Sequence, residues 1–319
     1  MNKFDFHFHS TYSDGKLSVP ELAEIIRAKK LSLCSLTDHN TVDGIPELEA
    51  CLEGSGIKVI PGVELTTKYN EDEVHILAFD FNIDVVAKIL KERNELVRRQ
   101  KIEEMKKAIQ LSRREGFEIT DGLVPAEKQP VTLTIALDIC ASQFNQDLFN
   151  KRHARHLIPE EVYYEYQAPG KSCAVERSGV TAEWIVKKFK GVAQDLIIAH
   201  PFVSVSVVTK PLDGVRMKDL LRIGMTGIEM YHSKTSDEQI LLIKKIVKEK
   251  GLHYTCGSDF HGRKTDPSIG QYGSNRTLPD FFLSNYAPAV RATKRTPNAL
   301  LIQKVTNILK DRFQKFTPI

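Results

Sequence analysis

Nine residues of this chain have the types and spacing of a metal-binding set: His7, His9, Asp38, His39, Glu64, His75, His200, Asp259 and His261. Six of the ten histidines are among them, and every member lies at the end of a stretch that reads as a β-strand. Imidazole and carboxylate donors without thiolate suit Mn²⁺, Fe²⁺ or Zn²⁺, and a carboxylate such as Glu64 has two oxygens with which to bridge two cations. Two cations about 4 Å apart generate hydroxide at neutral pH and clamp the oxygens of a phosphoryl group. Phosphate ester hydrolysis is therefore the natural reaction class, with amide hydrolysis as its chemical rival. The pair in DFHFHS alone would carry little weight. Alternation along a strand puts Phe4, Phe6 and Phe8 on one face and Asp5, His7 and His9 on the other, and such a polar face is often only wet. The case rests on the set.

The elements that must position these residues alternate between strand and helix. Strands are expected at the N-terminus, at SLCSLT (32–37), KVIPGVEL (58–65), VHILAF (74–79), LIIAHPF (196–202), TGIEMYHS (226–233) and HYTCGSDFH (253–261). Ser18, Pro20 and Glu21 form the start signal of a first helix, and others are expected at 45–53, 84–115, 236–250 and near 297–314. Repeated β/α units point to a parallel sheet, and a barrel of this kind carries its functional residues at the C-terminal ends of its strands. From Gly116 to about Gly170 the alternation stops, giving way to a Pro-containing loop, the apolar helical run VTLTIALDICASQF and the basic stretch NKRHARHL. This reads as an inserted, mainly helical subdomain, placed at 101–175 between barrel halves at 1–100 and 176–319.

The chain has 319 residues, 41% of them hydrophobic and 27% charged, enough to bury a substantial core. Lysine and arginine number 45 against 41 acidic residues, too small an excess for a dedicated binder of long nucleic acid. The five cysteines are widely spread with no Cys-x-x-Cys pair, so a disulfide framework and a thiolate zinc site are both unsupported and a reducing cytoplasm is expected. No run of about eighteen apolar residues suggests a membrane span.

The motifs His7-Phe8-His9 with Ser10 and Ser13-Asp14-Gly15, LTDHN (36–40), IPGVEL (60–65), His75, AHPF (199–202) and GSDFHG (257–262) occur in the order and spacing of the PHP family, named for polymerase and histidinol phosphatase. The chain resembles the bacterial phosphoesterases of that family that carry an insertion and act on nucleotides, including nucleoside monophosphate phosphatases and 5′-to-3′ exoribonucleases. The resemblance implies a distorted (β/α)7 barrel, an α/β fold, holding two to three divalent ions. It assigns His7, His9, Glu64 and Asp259 to the first metal, Glu64, His75 and His200 to the second, and Asp14, His39 and His261 to the third. Asp14 is raised from an ordinary Asp-Gly turn to a ligand by the resemblance alone. Asn40 stands where many relatives carry aspartate, and it is not an expected ligand.

Related phosphatases often carry an Arg-His or Arg-x-His pair facing the substrate phosphate within the insertion, and the comparable stretch here is KRHARHL (151–157). Arg152 is thus the candidate for phosphate contact and His153 for proton transfer, with Arg263 a further basic residue near the expected mouth. Asp38 reads as a carboxylate that orients an imidazole or receives a proton. Glu229 is taken to line the barrel, and His232 and His253 to be satisfied polar groups. The expected function is metal-dependent hydrolysis of small phosphate esters, nucleoside monophosphates or 3′,5′-bisphosphonucleotides, by hydroxide attack on phosphorus. The alternatives are a 5′-to-3′ exonuclease on short oligonucleotides and a non-catalytic metal-binding module.

Overall fold

The computed structural model describes residues 4–70, 72–126, 129–204 and 211–272. Its strands form two sheets. In the first, β1 (Phe4–Asp5), β2 (Leu33–Cys34) and β3 (Lys58–Val59) run parallel, with Phe4 opposite Leu33 and Leu33 opposite Lys58. In the second the order is β4 (Gly62–Tyr69), β5 (Asp72–Phe81), β6 (Ala193–Ile198), β7 (Gly227–His232) and β8 (His253–Gly257).

This second sheet is mixed, which corrects the expectation of a parallel one. The β4 and β5 strands pair antiparallel from Gly62↔Phe79 to Tyr69↔Asp72, and β5 pairs antiparallel with β6. A link as short as that between Tyr69 and Asp72 can only fold the chain back on itself, whereas a parallel partner needs a crossover of a dozen residues or more. Asn70, with φ of 54°, makes the tight turn. Only β6, β7 and β8 are parallel neighbours here. Pro61 separates β3 from β4, so KVIPGVEL is two strands rather than one.

The two sheets are separate ladders, yet the chain beyond their ends is laced together. Phe6 N–H donates to the Cys256 carbonyl (3.1 Å), Asp259 N–H to that of His7 (2.8 Å) and His9 N–H to that of Phe260 (2.9 Å). On the other side Glu64 N–H donates to the Asp38 carbonyl (3.3 Å) and Asn40 N–H to that of Glu64 (2.8 Å).

Helices α1 (Val19–Lys29) and α2 (Ile45–Leu52) cover the first sheet. The Glu21 carboxylate accepts from both the Ser18 N–H (2.8 Å) and its hydroxyl (2.6 Å), fixing the start of α1. The stripe Val19, Leu22, Ala23 and Ile26 then packs with Phe8, Cys34, Leu36, Leu48 and Ile269, each fully buried Leu or Ile being worth about 1.5–3 kcal/mol.

Helix α3 (Ile83–Arg114) leads away from β5, capped by the Asn82 side chain, which accepts from Val85 N–H. The chain continues through α4 (Val131–Ala141), α5 (Gln143–His153), α6 (Pro159–Val162) and a π-helical turn at Tyr163–Gln167. These elements have a core of their own, built by Met105, Phe117, Ile135, Ile139, Phe149, Leu157 and Tyr166. Helix α7 (Ala182–Phe189) returns to the sheet, and α8 (Gly214–Ile223) and α9 (Asp237–Lys250) follow β6 and β7. The helix expected near 297–314 lies outside the described residues. No described helix is long and apolar enough to cross a membrane.

Candidate metal centre

The alternation in DFHFHS persists past β1: Phe6 and Phe8 pack into the interior, while His7 and His9 point to the other side, where they are also fully buried. There they meet Glu64 from β4. The His7 Nε2 and His9 Nε2 atoms lie 3.2 and 3.1 Å from Glu64 Oε2, and both lie 3.4 Å from Asp259 Oδ1. Glu64 Oε1 faces the other way, 2.8 Å from His75 Nδ1 and 3.0 Å from His200 Nε2. His39, bridged to Glu64 through the backbone, places Nδ1 at 3.4 Å from Oε2. Asp14 completes the ring of donors, 3.3 Å from His261 Nε2, 3.8 Å from His9 Nδ1 and 3.9 Å from His39 Nε2.

Three sets of donor atoms each lie within 4.8 Å of one another: His7, His9, Glu64 and Asp259; His9, Asp14, His39 and His261; and His39, Glu64 and His75. The grouping differs in detail from the one the resemblance implies. His9 joins the Asp14 set, and His39 rather than His200 completes the set of Glu64 and His75, with His200 held against the same carboxylate.

Two features fit these sets to cations. His7 Nε2, both ring nitrogens of His9, His39 Nδ1 and Glu64 Oε2 are buried without a hydrogen-bond partner, a costly state unless something else satisfies them. The backbone is also held off its favoured conformations at two of the nine positions, with φ of 22° at His200 and 56° at Asp259. Such geometry costs on the order of 1–3 kcal/mol per residue and persists where the surroundings impose it.

The electrostatics agree. Burial would raise the Glu64 carboxyl, but His39, His7 and His75 outweigh it and hold the group well below its ordinary range. Burial pushes the His39 imidazole down to about 3, against the opposing pull of Glu64 and Asp14. His7 is driven the other way: burial would lower it, yet Glu229, Glu64 and Asp259 together raise it well above its usual value. The excess negative charge of the carboxylates thus calls for positive charge at this point, which a divalent cation supplies.

A family profile for the PHP domain matches residues 5–168, just over half of the chain. The chain belongs to the PHP family. Among curated relatives it is 26% identical to a 5'-3' exoribonuclease of Haemophilus influenzae over 266 residues, 81% of this chain and 90% of that one. It is also 26% identical to a 3',5'-nucleoside bisphosphate phosphatase of Chromobacterium violaceum, over 82% of this chain and 88% of the relative. In fold it is similar to a Bifidobacterium adolescentis protein classed with metal-dependent phosphoesterases, at a TM-score of 0.59 and 20% identity, covering 90% of this chain and 96% of the other. An amidohydrolase of Chromobacterium violaceum aligns over the same shares at a TM-score of 0.57 and 23% identity. This PHP chain is thus a hydrolase of phosphoesters.

Other expected site residues of this PHP chain have different surroundings. Asp38 does not meet an imidazole through a hydrogen bond. Its carboxylate accepts from Ser10 N–H (2.8 Å), the Ser10 hydroxyl (2.6 Å) and the Ser13 hydroxyl (2.5 Å), which fixes the loop leading to Asp14. Asn40 is engaged at both ends of its amide with Thr66, at 3.1 and 3.2 Å.

Arg152 and His153 depart furthest from expectation. The Arg152 guanidinium donates to the Glu115 carbonyl (2.8 Å) and carboxylate (3.3 Å) and lies 5.6 Å from the centre of the Phe117 ring. His153 Nε2 is 2.7 Å from the Tyr166 hydroxyl. Both contacts lie within the insert, that of Arg152 at its surface and that of His153 against the core residue Tyr166, so this pair joins α5 to its neighbours rather than meeting the cluster. Arg263 does reach the cluster: its guanidinium donates to Asp14 Oδ2 at 3.1 Å while remaining half exposed.

Sequence reasoning missed two groups on β7. Glu229 and His232 are fully buried, and both touch members of the donor set. Glu73, on β5 beside His75 and paired with Arg177 at 3.0 Å, is a third. Its position two residues from His75 on one strand face was the available signal.

Proposed function

We propose that this phosphoesterase hydrolyses small phosphate esters of the nucleotide class, nucleoside monophosphates or 3′,5′-bisphosphonucleotides, with two or three divalent ions (Mn²⁺, Fe²⁺ or Zn²⁺) held by His7, His9, Asp14, His39, Glu64, His75, His200, Asp259 and His261. The observation that carries this reading is the convergence of buried, unpartnered imidazole and carboxylate atoms on Glu64. When bound, the ions would neutralise phosphoryl oxygens and activate water. The chain's own residues do the rest. Glu64 and Asp259 set the charge of the site, Asp38 holds the loop that carries Asp14, and Arg263 stands at the rim with donors left for a phosphate oxygen.

The lacing of residues 6–9 to 256–260, and of 38–40 to 64, supports the further reading that the two sheets are parts of one distorted (β/α)7 barrel. The separate core between Met105 and Cys173 supports an inserted subdomain at 101–175. Five free cysteines support a reducing, cytoplasmic setting.

A second reading, 5′-to-3′ exonucleolytic cleavage of short oligonucleotides, is favoured by the Haemophilus influenzae relative of that name. The small net charge of +4 argues against a long nucleic-acid track in either case. The deciding experiment compares, with Mn²⁺-loaded protein, phosphate release from nucleoside monophosphates and 3′,5′-bisphosphonucleotides with mononucleotide release from a short 5′-phosphorylated oligoribonucleotide. Phosphate release alone is the expected result. Mononucleotide release would move the assignment to an exonuclease, and inactivity on every substrate with metal bound would move it to a non-catalytic module.

A further inference from the structure

Strand β7 supplies none of the residues assigned to the metal centre, yet it lies between β6 and β8, whose ends supply His200 and Asp259. Two of its side chains reach the donor set. Glu229 Oε1 accepts from His7 Nδ1 at 2.9 Å, and its other oxygen accepts from the backbone N–H of His200 at 2.7 Å. His232 presents Nε2 to Asp259 Oδ2 at 3.4 Å and accepts the Lys234 N–H at Nδ1 (3.2 Å).

These two side chains are three residues apart, and in a regular strand they would face opposite sides. The pairing of β7 with β8 shifts register between Glu229 and Tyr231, where Glu229 stands opposite Thr255 and Tyr231 opposite Cys256. A bulge of this kind adds a residue to one strand and turns its side chains. It is the physical reason that Glu229 and His232 share a face.

We infer that β7 is a positioning strand: Glu229 and His232 hold three members of the donor set, His7, His200 and Asp259, in the orientation that metal binding requires. The inference rests on the metal reading given above and adds residues that the reading does not use. With Nδ1–H of His7 donated to Glu229, Nε2 is the ring nitrogen left to face Glu64 and Asp259, where it would ligate a cation on giving up its proton. The bond to His200 N–H secures a backbone that has φ of 22°. Because His232 accepts at Nδ1, the ring N–H that faces Asp259 Oδ2 is the one on Nε2. Asp259 Oδ1 then faces His7 and His9. The fit is close: a Cβ added at Gly257 would lie 2.1 Å from His7 Cβ and 2.9 Å from Glu229 Oε1.

The test uses Glu229→Gln, which keeps the volume but has a single acceptor oxygen for two N–H donors, together with His232→Ala and His232→Gln. Full-length proteins, stripped of metal, are titrated with Mn²⁺ by calorimetry for affinity and stoichiometry, and their metal-free melting temperatures are recorded. A loss of about 10–100-fold in Mn²⁺ affinity is expected for Glu229→Gln and for His232→Ala. His232→Gln, whose amide N–H can take the place of Nε2–H, is expected to recover most of that loss.

A side chain that only filled space would lower the metal-free melting temperature and leave Mn²⁺ affinity alone. Wild-type affinity in both Glu229→Gln and His232→Ala would therefore overturn the inference. Should Glu229→Gln fail to fold, the two His232 variants decide by the same criterion. Absence of Mn²⁺ binding by the wild-type chain would overturn the metal reading and this inference with it, whereas normal wild-type binding with unaffected variants overturns this inference alone.

Discussion

His9 in the donor cluster and Asn145 in the helical insert are both polar and both fully buried, yet they have opposite surroundings. Asn145 is saturated: its oxygen accepts from Glu118 N–H (2.8 Å), and its amide donates to the carbonyls of Glu118 (2.8 Å) and Ile139 (3.1 Å). His9 has no hydrogen-bond partner at either ring nitrogen, although carboxylate oxygens stand 3.1 and 3.4 Å from Nε2. A buried polar group is retained either because it fastens the fold or because it is reserved for something that binds. Asn145 does the first, joining α4, α5 and the Glu118 loop. The imidazoles around Glu64 fit the second.

The contrast breaks most sharply at Glu64. Its two oxygens face His7, His9 and His39 on one side and His75 and His200 on the other. Glu64→Ala is expected to reduce turnover to background and to lower the metal bound per chain, measured by elemental analysis of a folded sample. Retained activity would remove Glu64 from the centre. Phe149→Ala probes the other region. The ring is fully buried against Phe117 and Tyr166, with centroids 5.5 and 6.1 Å away, so its loss should cost about 3–5 kcal/mol in chemical denaturation. Mn²⁺ affinity of the folded fraction is expected to stay at the wild-type value.

Metal removal separates the regions without a mutation. An ion that binds only the folded chain stabilises it by about 2.7 kcal/mol at a hundred times its dissociation constant. At about 2–4 °C per kcal/mol, chelation should lower the melting temperature by several degrees. Glu64→Ala is expected to start from a low melting temperature and to lose no more on chelation. An equal drop in that variant would show that the chelator acts elsewhere.

The donor set was legible because metal ligation draws on few residue types and because a parallel strand ends where its loop begins. His7, His9, Asp259 and His261 could therefore be placed from short local patterns. The antiparallel turn at Asn70 was also within reach of the sequence, since the eight residues between the strands expected at 58–65 and 74–79 are too few for a crossover, but the alternation of the neighbouring units masked it. The β7 bulge was out of reach. Regular alternation separates Glu229 from His232, and only the register against β8 shows otherwise. The partner of Arg152 was out of reach for a related reason: a basic run within an insertion says nothing about which acidic residue is nearer, and Glu115 lies 37 positions earlier in the chain.

Arg152 therefore yields the smallest and most discriminating effect. Its ion pair with Glu115 is about one-third exposed on both sides, and pairs of that kind contribute about 0.2–1 kcal/mol, to which the carbonyl bond and the contact with Phe117 add a little. Arg152→Ala should lower stability by about 1 kcal/mol and leave KM for the nucleotide within twofold of wild type. Arg263→Ala, removing the guanidinium beside Asp14, should instead raise KM several-fold at nearly unchanged stability. If the two effects were exchanged, the Arg152–His153 stretch would return to the substrate and the arginine at the rim would become an ordinary surface residue. The split between KM and melting temperature thus tests whether a phosphate is read at the strand ends or from within the insert.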